Sequence, residues 1–280
     1  MTDDHAAFLR AIVENPRDLL VRLVYADFLE ETGDPNHVAR AHLIRAQVAL
    51  DDPATDPDEY DGLKAFEGRL LDLFREDWDR ELPLWLAEEG EPAYRRGFVE
   101  HVSLRFHRFT AMAAAVFAAV PLRSLHLRNP VALGTDPLGL FGLFDRVPGL
   151  AAVDTLKLGP SLSYFADFGP PDAGHEPPLL FEQLMTCRTL TGLRTLDVST
   201  NPVTDAWLIA FVSALPAAAF AGTLEVLNFT DCVHITNAGG NTLATARSLH
   251  ALRRLVLKDV PLNAATRSML RRTFGDRVSF

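Results

Sequence analysis

The stretch LRTLDVSTNPVTDAWLIAF, residues 193–211, decides the fold. Leu193, Leu196 and Val198 stand at the spacing L-x-x-L-x-L, which puts one apolar side on a short extended segment. Asn201-Pro202 then breaks the segment, and Thr204-Asp205 opens an apolar run in the manner of a helix start. Strand, turn and helix thus follow one another within a single short stretch.

The same spacing recurs along the chain. It is met at Leu122/Leu125/Leu127, Val153/Leu156/Leu158, Leu224/Leu227/Phe229 and Leu252/Leu255/Leu257, with a looser first copy at Val99/Val102/Leu104. First positions at 99, 122, 153, 193, 224 and 252 give intervals of 23, 31, 40, 31 and 28 residues. Between the copies lie helical segments with their own start signals: Thr110, Asp136-Pro137, Pro178, Thr204-Asp205 and Asn263. Gly275 stops the last helix, and RVSF offers a final short strand. A unit of this size cannot bury its leucines alone and must stack on its neighbours.

The pattern resembles the leucine-rich repeat family, especially its ribonuclease-inhibitor-like class, which pairs each strand with a full helix. Asn201 occupies the asparagine position, and Cys232 in LEVLNFTDCVHITNAGGNTLA stands there in the cysteine-containing variant. The resemblance implies that both bond turn backbone inside the arc. Departures are Asn129, one place early, and Gly239-Gly240, which weakens the helix of its repeat. The expected fold class is α/β, a leucine-rich-repeat solenoid over 98–280 with an insertion at about 159–178, preceded by an all-helical capping module over 1–97.

Working back toward the N-terminus, Thr2 is placed to cap a helix over about 3–14. Asn15 and Pro16 suit the start of a second, whose broad apolar face is Leu19, Leu20, Leu23, Val24, Ala26 and Phe28. In LVYADFLEETGDP, residues 23–35, Gly33 supplies a left-handed stop and Pro35 forbids continuation. Further helices are expected over about 37–50, 58–76 and 78–89, with Leu70, Leu71, Phe74, Trp78, Leu82, Trp85 and Leu86 in the core. The first 50 residues, with Leu-Val-Tyr-Ala-Asp and Gly-Asp-Pro, are similar to the repeat-companion domain, a helical module attached to repeat proteins in planctomycetes and related bacteria. That resemblance implies association with repeats and no reaction. Tyr25 is expected to be partly buried and hydrogen-bonded.

Charge divides the chain unevenly. Residues 1–97 carry 11 basic and 23 acidic side chains, a net of −12, while the remainder carries 16 and 14, a net of +2. An acidic first part repels phosphate backbones, which argues against nucleic acid as a partner. The longest apolar run, residues 111–122, is too short to span a bilayer, so no membrane span is expected. Two cysteines make no disulfide scaffold, and the start lacks a secretory pattern, so the expected setting is cytoplasmic.

Reaction signatures are missing: there is no G-x-S-x-G, H-E-x-x-H, C-x-x-C, P-loop or G-x-G-x-x-G. DDPATDPDEYDG fails the calcium-loop order, and His101 and His107 have no acidic or thiol ligand at metal-site spacing. Asp27, Glu30 and Glu31 beside a helix end read as solvated or locally bonded carboxylates. No catalytic residue, cofactor or metal is therefore expected. The candidate site is the sheet face opposite the leucines, where alternation places His101, Arg105, His126, Arg128, Lys157, Asp197, Asn228, Arg254 and Lys258. The expected function is non-enzymatic recognition of a protein partner by that face, with the oligomeric state open. Two alternatives stand beside it: an enzyme or ligand-binding module in the acidic helical part, and an inhibitor of an effector enzyme.

Overall fold

The computed structural model describes residues 3–128, 144–159 and 184–280, and it is a mixed α/β protein. The insertion expected after 159, Asn129 and the helix starts at Asp136-Pro137 and Pro178 lie outside the described residues. Contacts divide the chain into two compact units, Met1–Ser103 with Ala114–Arg123, and Leu104–Ala113 with Ser124–Phe280. The division falls within a strand and a helix beyond the 97/98 boundary read from the sequence.

The first unit holds α1 (Asp3–Glu14), α2 (Leu19–Glu31), α3 (Pro35–Leu50), α4 (Pro57–Asp79), α5 (Leu84–Glu89), β1 (Ala93–Arg95) and β2 (Phe98–Arg105) through Ser103. Its helix starts differ from expectation for a local reason. Asp18, not Asn15, caps α2, its Oδ1 accepting from the amides of Leu20 at 2.9 Å and Val21 at 3.3 Å. Gly33 takes the left-handed conformation, φ 68°, and ends the helix as its lack of a side chain allows. Asp34 then caps α3 through the amides of Asn36 and His37, with Pro35 in the first turn. Gly-Asp-Pro therefore stops one helix and starts the next. Farther on, α4 is unbroken through Trp78, where two helices were expected to meet.

The buried face of α2 is also turned from the expected one. Arg22, Tyr25, Ala26 and Leu29, at i, i+3, i+4 and i+7, are buried, whereas Leu19, Leu20 and Val24 are exposed. Apolar residues surround most of this helix, so composition alone does not choose its inner side. The inward side carries Arg22, whose Nη2 lies 2.7 Å from Glu100 and 2.8 Å from the Pro16 carbonyl. Glu100 is itself buried and takes a second guanidinium, from Arg96. Burial lowers Arg22 to about 10 despite Glu100 beside it, so it stays charged at neutral pH. Around this pair, Ile12, Tyr25, Ala26, Leu29, Ala41, Ile44 and Phe98 make the core. Of the expected later core residues, Leu70, Trp78 and Leu86 are buried and Leu71, Phe74, Leu82 and Trp85 are half-buried.

The strand β2 pairs antiparallel with β1, Tyr94 opposite Val99 and Arg95 opposite Phe98. The hairpin was not foreseen, because β1 has only three residues and no alternation of its own.

In the second unit, α6 (Phe106–Ala119) begins four residues before the expected Thr110, and its first half belongs here. Then come β3 (Ser124–Arg128), β4 (Thr155–Leu158), β5 (Thr195–Asp197), α7 (Asp205–Ala214), β6 (Val226–Asn228), α8 (Asn237–Thr245), β7 (Arg254–Val256), α9 (Ala264–Phe274) and β8 (Val278–Ser279). Neighbours from β3 to β8 pair parallel in chain order. The middle position of each pattern copy falls in one row, Leu125, Leu156, Leu196, Leu227 and Leu255, every one fully buried. Two residues past the third position of the last three copies, Thr200, Asp231 and Asp259 all adopt positive φ, so one sharp turn is built three times.

Asn201 and Cys232 follow those turns and bond backbone there, as the resemblance implied. The Asn201 amide donates to the carbonyls of Leu158 at 2.9 Å, Val198 at 3.0 Å and Ser199 at 3.0 Å. The Cys232 thiol donates to Val198 at 3.3 Å, and burial pushes it up to about 12, an unreactive setting. Helix starts at Thr204 and Asn263 are as expected, and Thr236 caps α8 between them. The Gly239-Gly240 pair has a packing reason. A Cβ on Gly239 would stand 2.3 Å from Asp205 Oδ1 of α7, and one on Gly240 would stand 2.5 Å from Thr266 Cγ2 of α9.

Candidate functional site

On the second unit, strand register assembles the predicted face. His126, Lys157, Asp197 and Asn228 are successive partners across β3 to β6, and Val256 and Ser279 continue the row. A neighbouring row runs Ser124, Thr155, Thr195, Val226, Arg254. Both stand on the side opposite the buried leucines, and their residues are half-buried apart from Arg254, which is exposed; the Ser279 hydroxyl at the far end is enclosed. Arg128 closes β3, and Lys258 is exposed just after β7.

Two of these residues have a local duty. Asp197 Oδ1 accepts from the Ser199 amide at 2.9 Å, and Asn228 Oδ1 accepts from the Thr230 amide at 3.0 Å and hydroxyl at 2.7 Å. They shape the strand ends, and the cationic side chains of the face are those of Arg128, Lys157, Arg254 and Lys258. His101 and Arg105 lie apart in kind: both are on β2, with His101 opposite Ala93 in the antiparallel hairpin of the first unit and Arg105 exposed at the strand end.

The first unit contains a second feature, a cleft of about 1000 Å³. The rings of His5 on α1 and His37 on α3 stand 5.7 Å apart on its wall. The Thr32 hydroxyl is 3.0 Å from His37 Nδ1 and donates to the Leu29 carbonyl at 2.7 Å. Arg40, one turn past His37, donates from Nε to the Gly97 carbonyl at 3.2 Å and pairs with Glu81 at 2.5 Å. Burial, and then His37, hold His5 below the usual histidine range. Sequence reasoning missed this group because its members come from α1, α3 and the turn after α4, with no shared spacing to reveal them.

Tyr25 is almost wholly buried, more deeply than expected, with its hydroxyl 3.5 Å from both ring nitrogens of His5, the long limit of a hydrogen bond. Its place is set mainly by rings: His5, Phe8 and Phe98 have centroids 5.6, 5.5 and 5.8 Å away. Burial pushes Tyr25 up to about 12. Asp27 and Glu30 are outside the cleft. Arg45 bridges them at 2.7 Å each, tying α2 to α3, and this bonding keeps the exposed Glu30 below the usual carboxylate range.

Among the described residues, no group of three or more His, Cys, Asp or Glu is placed to hold a metal ion. No described helix is long and apolar enough to cross a membrane. No family model and no curated protein matches the chain.

Proposed function

We propose that the chain is a non-enzymatic recognition protein of the cytoplasm. In this reading residues 98–280 form a leucine-rich-repeat solenoid, residues 1–97 a helical companion module, and the sheet face opposite the leucines docks a protein partner. The observation that carries it is the register that brings side chains from successive strands into rows on one face while every leucine of the row behind them is buried. Stacked parallel strands of this kind present a continuous surface that no single copy could offer. Lys157, Arg254 and Lys258 favour an acidic segment of the partner, since complementary charge guides association and selects against basic competitors.

The test is a comparison of wild type with the triple variant Lys157→Glu, Arg254→Glu, Lys258→Glu in pull-downs from native lysate. The expected result is a protein retained by wild type, eluted by a soluble poly-glutamate competitor and lost from the variant. Equal recovery by both chains, or no salt- and competitor-sensitive protein at all, overturns the assignment.

A further inference from the structure

The cleft of the first unit is built differently from the sheet face, and its parts point to a ligand of their own. Its lining includes the apolar Leu9, Val13, Phe28 and Val99 together with Arg40. The Arg40 side chain is 10% exposed, held by Gly97 and by the faces of Phe98 and Trp78, whose ring centroids are 5.3 and 5.8 Å from the guanidinium carbon. Its carboxylate partner Glu81 is 54% exposed. A fixed cation thus faces the cleft under a carboxylate that belongs to an exposed turn. An outside anion can take the place of Glu81 without moving Arg40.

We propose that this cleft binds a small amphipathic anion, an acidic group carried on an apolar body, with the acid on Arg40 and the imidazoles of His5 and His37, and the body against Val13 and Phe28. The volume suits a small molecule, for which pockets of about 300–1000 Å³ are usual. A guanidinium held by its own second contacts is also preorganised for a planar acid. Glu81 is then an internal competitor that closes over Arg40 when the cleft is empty. No covalent step is involved.

The full chain is titrated at pH 7 with 1-anilinonaphthalene-8-sulfonate, followed by fluorescence, and in parallel with N-phenyl-1-naphthylamine, which has the same body without the acid. The expected result is saturable binding of the sulfonate, weaker by tenfold or more for the neutral analogue. Glu81→Gln, at an exposed position, is expected to tighten the sulfonate about threefold by removing the competitor. Val13→Trp fills the cleft and is expected to abolish binding in a chain whose circular dichroism is unchanged. Equal affinity for the two probes, no change on Glu81→Gln, or full binding by a folded Val13→Trp chain each overturns the proposal. So does displacement of the sulfonate by an acidic peptide and by no small acid, which would make the occupant a macromolecule.

Discussion

At the scale of single residues, burial and the facing imidazole of His37 keep His5 below its ordinary value of 6.5, with Arg40 and the N-terminal amine adding to the effect and Glu81 opposing it. The unfolded chain therefore binds the His5 proton more tightly than the folded one. Stability is fully present above about pH 6.5 and falls as the pH drops from there through the folded value. In urea unfolding followed by circular dichroism, the wild-type midpoint is expected to fall between pH 7.5 and 5.5, and to fall less in His5→Phe, which keeps an aromatic ring against Tyr25. Equal slopes in the two proteins would remove His5 as the cause. The same scale shows why Tyr25 and Asp27, two residues apart in one motif, part company. One residue step along a helix turns a side chain by about 100°, so two steps carry Asp27 out to Arg45 while Tyr25 stays among the rings. Neighbourhood in the sequence said nothing of this separation.

At the scale of elements, local signals were read well where the residues that make them are adjacent in the chain. Gly33, Thr204 and Asn263 end or begin helices by bonding backbone one to four residues away, so their roles were legible. The start of α2 was misread because Asn15 and Asp18 are both good caps, and the chain between them forms a turn in which the Asp18 amide bonds the Asn15 carbonyl. Gly239 separates propensity from packing. In an isolated helix Gly→Ala is worth about 1 kcal/mol of stabilisation. In α8 the new methyl meets Asp205, which also accepts from the Thr236 amide at 2.8 Å, so that carboxylate is already committed. Gly239→Ala is accordingly expected to destabilise the chain by about 1–3 kcal/mol, as overpacking does. A thermal midpoint at or above that of wild type would show that α7 and α8 have room to part.

At the scale of the molecule, parallel pairing makes each strand of the second unit depend on the next. Leu196 and Leu227 are direct partners in the buried row. Each change to alanine is expected to cost about 2–5 kcal/mol in urea unfolding, and the double variant to depart from the sum by about 0.5–3 kcal/mol. Simple additivity would mean that neighbouring copies do not share a core. The charge division belongs to this scale too, since the −12 of residues 1–97 falls in a unit where the buried Arg22–Glu100 pair, joined by Arg96, is drawn from helix and hairpin together. By itself the sequence determined the strand spacing, the buried leucine row and the positions of the basic residues along the strands, because these follow from short-range periodicity, whereas the turn roles of Asn201 and Cys232 were implied by resemblance. Only the tertiary structure decided which side of α2 is inward, which residues meet in the cleft, and why two glycines interrupt a helix. Those depend on groups tens of residues apart, and the free energy that selects them comes from burial and pairing that exist only after the elements have packed.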